Sequence, residues 1–431
     1  EPTPAKISAP VLQTQIHDAA AIFEPYEKLD TPEKLKKELA VRRDWAKSYM
    51  RDFAPPMPDS RKRLELAEFD WRLETEEDAQ NFETVLSGKG DWERVQIPHY
   101  GGPVGIATAY YRTEFDVEDA KGYPFLCFRG VDYKAHVFLN GNYLGSHEGF
   151  FAPFSFACGD ALKTGKNILV VQVENDYSFG AGGDKVYAAT GLGFDEPQLG
   201  WHHCPPGMGI YHDVFLEFRE EIHINDIYVR PLPEQEEAEV WVELFCCNRG
   251  QFDVSLNLSL YGQNFQEVVF ENLCVRPTSI MQVGMGDSLT EARRRSDGSL
   301  HNEIPLFLQR GINYIKTRIA VKDCRIWDLD TPWLYQVQVA LDYQGKILDR
   351  QKCQFGMRSF QMREQDGKQG CLFLNGRRIR LRGANTMGHE QQCVLKKDWN
   401  QLRDDILLAK ICNMNFLRLT QRPVQDEIYQ Y

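Results

Sequence analysis

No stretch of this 431-residue chain approaches the ~18 consecutive apolar residues a membrane span needs. There is no excess of positive charge. Fifty Lys and Arg stand against 62 Asp and Glu, a net charge of −12, which argues against nucleic acid or an anionic membrane as partner. Cys-x-x-Cys is missing, and the eleven cysteines are odd in number and scattered. That excludes a disulfide scaffold and a zinc ribbon and leaves mostly buried thiols. No signal peptide is legible, yet the chain starts at Glu1 instead of methionine, which suggests processing or a trimmed chain. A periplasmic or secreted location and a cytoplasmic one therefore stay open. The apolar fraction of 42% supplies real cores, and the length suggests roughly two to four domains.

Residues 1–60 are expected to form a helical arm. Thr31-Pro32-Glu33-Lys34 is a helix start with proline in the first turn. Leu35, Leu39, Val41 and Trp45 give the segment a weak apolar face, and Pro55, Pro56 and Pro58 end it. The simplest reading is a surface arm packed on the domain that follows.

From residue 61 to 221 the pattern is short strands between polar turns, the mark of a sandwich. Strands are predicted over Trp92–Pro98, Ala109–Phe115, Phe125–Arg129, His136–Leu139 and Asn167–Glu174, with a hairpin turn at Asn140-Gly141. The segment Asp176–Gly209 breaks the rhythm. It is glycine-rich and carries Trp201, His202, His203 and Cys204. Its aromatic and histidine content argues against disorder. Three readings compete for His202, His203 and Cys204: packing against a neighbouring domain, contact with a sugar, and a zinc site completed by His212, although the spacing fits no standard ligand pattern.

Residues 222–358 offer six further strand candidates, enough for an immunoglobulin-like sandwich. The charged stretch Leu289–His301 reads as a solvated loop. After residue 358 the period changes. Asn375-Gly376 is a second hairpin turn, and Arg377–Asn385 reads as a strand ending near Gly383. Asp398 is placed to cap a helix whose inner face carries Trp399, Leu402, Ile406 and Ala409 and which stops at Asn413. Asn415–Thr420 alternates as a buried strand, and a new helix is expected after Pro423. Strand, helix and parallel strand open an α/β fold.

Taken in order, these segments resemble glycoside hydrolase family 2, the family of β-galactosidases, β-glucuronidases and β-mannosidases. The resemblance runs from about Leu64 to Tyr431. Its carriers are Trp92 with Ile97-Pro98-His99, Tyr110–Phe115, the hairpin Val137–Gly145, Gly149–Phe154, Gly209-Ile210-Tyr211-His212-Asp213-Val214, Pro332–Tyr335, Phe355–Arg358, and Phe373–Gly376 with Leu381–Asn385. The fold this implies is mostly β: a sugar-binding jelly-roll sandwich over 61–221, an immunoglobulin-like sandwich over 222–358, and the first β/α units of a (β/α)8 barrel over 359–431.

The resemblance implies an exo-acting retaining glycoside hydrolase of β-linked sugars with two catalytic glutamates ~5 Å apart. Both lie on later barrel strands that this chain lacks. Asn302-Glu303 mimics the family's acid/base pair but falls in the middle module and is set aside. The chain by itself is therefore expected to be inactive, and a non-catalytic carbohydrate-binding protein built from the same modules is the alternative. The implied partner is an oligosaccharide or glycoside, with no nucleic acid, no membrane, no metal and no cofactor; a homo-oligomer is left open.

Six residues are expected to bind substrate. Asn385 and His389, with Glu390 beside them, follow barrel strand one. Arg418 ends strand two and resembles the arginine the family sets beside its nucleophile. Trp201, His202 and His203 resemble the Gly-Trp-Asp-Trp loop of β-mannosidases, with His202 in place of the aspartate. Gln421 stands where the family usually has histidine. That departure sets the chain apart from standard galactoside and glucuronide chemistry.

Overall fold

The computed structural model describes residues 28–103, 107–175, 177–179, 186–188, 207–276, 281–282, 306–365, 367–386, 390–419 and 426–431. It is mostly β.

The first sandwich stacks a six-stranded on a four-stranded antiparallel sheet. The larger runs Glu93–Gln96, Glu68–Leu73, Ala107–Val117, Gly165–Asn175, Lys134–Leu139, Asn142–Glu148 in spatial order. The smaller runs Lys62–Glu65, Val214–Arg219, Tyr123–Phe128, Phe154–Ala157. Strict alternation builds it. In Lys134–Leu139 every second residue is buried, and these residues meet Phe69, Tyr111, Leu126, Leu169 and Leu216 in one core. The turn at Asn140-Gly141 has φ of 51° and 80°, the left-handed pair a two-residue hairpin requires. Asn140 does more than turn. Its amide donates to Ala161 O and Asn167 Oδ1, both at 2.8 Å, and its Oδ1 accepts from Ile168 N at 2.9 Å.

The second sandwich packs Ile222–Leu232, Glu237–Cys246, Gly311–Ala320 and Met281–Gln282 against Val268–Val275, Val254–Gly262, Tyr335–Tyr343 and Lys346–Phe355. All six strands read from the sequence are present. The edge strand Val268–Val275 was not expected, because most of its residues are exposed and its pairing is broken by bulges.

A buried ionic hub joins the two sandwiches. The Arg61 guanidinium forks onto Asp349 at 3.1 and 2.6 Å and reaches Glu217 at 2.9 Å. Asp349, 1% exposed, also accepts from Ser60 Oγ at 2.6 Å and Ile224 N at 2.8 Å. A carboxylate so surrounded has its lone pairs filled, which is what permits its burial.

The helix Pro32–Tyr49 begins as its sequence dictates, with Thr31 Oγ1 accepting from Lys34 N. It packs elsewhere than expected. Instead of the sandwich that follows it in sequence, it meets the second sandwich and the last module. Tyr49 lies 5.5 Å from Trp333, the Lys410 ammonium lies 4.7 Å above the Trp45 ring, and Arg43 pairs with Asp404.

In the last module Phe360–Gln365, Lys368–Leu374 and Arg377–Ile379 form an antiparallel sheet around the turn at Asn375-Gly376. The strand expected to run from Arg377 to Asn385 is broken at 380–382. Its second part, Gly383–Thr386, leaves that sheet and pairs in parallel with Phe416–Leu419. Between them lie helices Glu390–Lys396 and Gln401–Ile411. The first was not read from the sequence. The second starts two residues later than the expected inner face. Trp399 thus precedes it and is exposed, and Leu402 and Leu407 are the buried positions. Asp398 turns the chain by accepting from Asn400 N at 3.2 Å instead of capping the helix. Asn413, φ 56°, ends it as expected.

Candidate functional site

The parallel pair is held at its base by one side chain. The Asn415 amide accepts from Arg382 N at 2.7 Å and donates to Arg380 O at 3.0 Å. Gly383 lets the strands close, since a Cβ there would lie 2.0 Å from Phe416 O. With the register so fixed, Asn385 falls opposite Arg418. Arg418 Nη1 donates to Asn385 Oδ1 at 3.3 Å, and both residues are exposed. Two residues chosen 33 positions apart in the sequence are thus brought together near the carboxyl ends of two parallel strands, where α/β folds place their sites. Among the described residues the Arg418 guanidinium is met by an amide and not by a carboxylate.

Trp201, His202, His203 and His389 lie outside the described residues, as do Cys204, Gln421 and Leu289–His301. The base of the long segment is described. Met208 and Gly101 exchange hydrogen bonds of 2.8 and 3.1 Å, and Gly101 approaches Leu395 on the helix that follows strand one. Tyr100, Tyr211 and Val394 form a small apolar cluster there.

Around that cluster lies a polar set that sequence reasoning missed. Gln391, 1% exposed, donates to buried Asp132 Oδ2 at 3.3 Å. Arg129 pairs with Glu427. His212 Nε2 stands 3.5 Å from Glu390 Oε1. Burial pushes the Glu390 carboxyl up to about 7, with Glu427 and Asp213 adding to the rise and His212 and Arg129 opposing it. Glu427 behaves oppositely. Burial would raise it, but Arg129 wins and holds it below the ordinary carboxylate range. Among the described residues no group of three or more His, Cys, Asp or Glu is disposed to hold a metal ion. The partner of His212 there is a carboxylate of the last module. No local pattern announces the set, because residues 129, 132, 212, 390, 391 and 427 come from separate segments.

The glycosyl hydrolases family 2 pattern matches residues 222–358, and the glycosyl hydrolase 2 galactose-binding domain-like pattern matches residues 103–190. A β-galactosidase of Priestia megaterium is 26% identical over 76% of this chain and 27% of its own length. A β-glucuronidase of Formosa agariphila is 24% identical over 73% of this chain and 31% of its own. Among solved structures, a β-galacturonidase of Eisenbergiella tayi bound to galacturonate superposes with a TM-score of 0.61 at 19% identity, covering 88% of this chain and 57% of that one. A Bacteroides uniformis β-glucuronidase gives 0.61 at 19% identity, covering 86% and 40%. The chain spans 27–38% of the length of the curated relatives it matches. Patterns of this one family, matched over residues 103–190 and 222–358, make this chain a member of glycoside hydrolase family 2.

Proposed function

We propose that this chain is the sugar-recognising, N-terminal portion of an exo-acting retaining glycoside hydrolase that cleaves β-linked sugars. The observation that carries the reading is the Asn385–Arg418 pair at the carboxyl ends of adjacent parallel strands. In this reading those strands open a (β/α)8 barrel, and the pair lines its mouth. A guanidinium there holds a neighbouring carboxylate ionised, the state a nucleophile needs to attack an anomeric carbon. The catalytic glutamates come from barrel strands beyond this chain. Trp201, His202, His203 and His389 complete the pocket wall, an aromatic face stacking on sugar C–H groups and polar tips bonding hydroxyls.

The test is the intact mass of the native protein together with its action on aryl β-galactosides and β-glucuronides. The expected result is a mass well above the 49.8 kDa of this chain, with hydrolysis. A native mass equal to that of this chain, with sugar binding and no hydrolysis, would favour a carbohydrate-binding protein instead.

A further inference from the structure

We propose that Lys410 is a positioning residue: it seats the helix that leads into the Arg418 strand in a socket built jointly by the second sandwich and the N-terminal helix. The term positioning rests on the reading of Arg418 as a pocket residue; the socket itself does not.

Lys410 lies in the last turn of the helix Gln401–Ile411, and the chain runs from there through Asn415 into Phe416–Leu419. Asn415 fixes that strand against strand one, but both strands belong to the last module. Their placement against the sandwiches needs a contact from outside it. The Lys410 ammonium makes two. It donates to Leu329 O at 2.7 Å and lies 4.7 Å from the centre of the Trp45 ring. Leu329 belongs to the second sandwich and Trp45 to the helix Pro32–Tyr49. Burial pulls the ammonium below its ordinary value, and Asp330 opposes the fall. A partly desolvated cation gains more from a ring face than an exposed one does.

Both walls of the socket are themselves held. Leu329 N donates to Asp328 Oδ1 at 2.7 Å, and Asp328 N to Thr331 O at 3.1 Å. Trp327 O accepts from Asn375 Nδ2 at 2.9 Å, and Asp330 O from the Tyr49 hydroxyl at 3.4 Å. Carbonyls 327, 329 and 330 of one short loop thus take donors from the hairpin of the last module, from its helix and from the N-terminal helix. On that N-terminal helix Trp45 and Tyr49, four residues apart, share a face. Their rings are 5.3 Å apart, and Tyr49 lies 5.5 Å from Trp333. Arg325 closes the row 5.0 Å from Trp333. Beyond the helix the chain stays on the second sandwich, where Asp52 Oδ2 accepts from Gln336 Nε2 at 3.3 Å and Pro55 O from Gln338 Nε2 at 2.7 Å. The row Lys410, Trp45, Tyr49, Trp333, Arg325 therefore runs from the last module into the second sandwich through the N-terminal helix.

The experiment is hydrogen exchange of the whole chain, followed on peptides within 401–419. Lys410→Met keeps an unbranched side chain but has neither charge nor donor. Exchange across 412–419 should rise at least about tenfold, with the strand Tyr335–Tyr343 of the second sandwich unchanged. Lys410→Arg keeps a cation and its donors and stacks on a ring, so it should restore wild-type protection. Trp45→Ala should loosen the same peptides. Combining it with Lys410→Met should add little, because both break one contact. Trp45 lies outside the last module, so Trp45→Ala serves should Lys410→Met fail to fold. Wild-type exchange across 412–419 in either single variant would overturn the proposal. So would equal loosening in Lys410→Met and Lys410→Arg, or a double variant in which the two losses add. No sugar and no turnover enters the measurement. Its failure leaves the glycosidase reading standing, and a failed glycosidase assay leaves the socket standing.

Discussion

Arg418 and Asn385 face each other across two parallel strands, guanidinium to amide oxygen at 3.3 Å. The amide orients the arginine without neutralising it. The pair should therefore distinguish charge from shape. Arg418→Lys keeps the charge but loses the planar fork that Asn385 meets. Its turnover in the full-length enzyme should fall between wild type and Arg418→Ala; a lysine variant as slow as alanine would mean that geometry alone matters.

The close approach of those strands depends on Gly383. A Cβ there meets the Phe416 carbonyl, which is backbone and cannot swing aside. Gly383→Ala should cost about 1–3 kcal/mol, the usual range for overpacking, read from thermal unfolding. It should also raise KM by displacing Asn385 from Arg418. Wild-type stability in Gly383→Ala would show that the strands can part freely.

The hub between the sandwiches makes a stability prediction. Arg61→Ala leaves Asp349 and Glu217 buried without their main cation. The expected loss is about 3–5 kcal/mol by denaturant unfolding, the range for breaking a buried pair. The same hub sets acid sensitivity. Burial would raise Glu217, but Arg61 and Arg219 overcome it and hold the carboxyl below its ordinary 4.5. A depressed value means stability that is present above about 4.5 and lost as pH falls through the lower folded value. Acid should therefore loosen the junction of the sandwiches. An unfolding midpoint that stays constant as pH falls below about 4.5, the ordinary glutamate value, would contradict this.

Arg43 and Asp404 form the ion pair by which the N-terminal helix meets the last module, but Arg43 is 46% exposed. Arg43→Ala should change stability by less than about 1 kcal/mol. A larger loss would mean that the arm is an integral part of the last module's core.

Much of this was legible because it is local. Asn-Gly turns fix hairpins by φ alone, so the positions at Asn140 and Asn375 could be named outright. Period-two burial located the strands of both sandwiches. Asn385 and Arg418 were found through the family's pattern, not through any local rule, and the structure supplied their register through Asn415 and Gly383. The misreadings have physical causes. Trp399 matches the helical spacing, but the helix begins only at Gln401. The helices Glu76–Gln80 and Phe82–Leu86 are too short to show a period; their signals are the Thr75–Asp78 capping box of the first and the Asn81 N-cap of the second. The His212–Glu390 contact joins residues 178 positions apart that belong to no periodic stretch. Only the packing of two modules brings them together.

The central claim is that Arg418 serves the nucleophile of a retaining β-glycosidase to which this chain contributes the sugar-recognising part. The measurement that tests it most directly is hydrolysis of aryl β-galactoside and β-glucuronide by the full-length protein and its Arg418→Ala variant. Proton NMR would follow the anomer released, and circular dichroism would verify folding. The account predicts β-product first and a fall in turnover of more than about tenfold, at least ~1.4 kcal/mol of barrier. Unchanged turnover in a folded Arg418→Ala enzyme, or release of the α-anomer first, would contradict it.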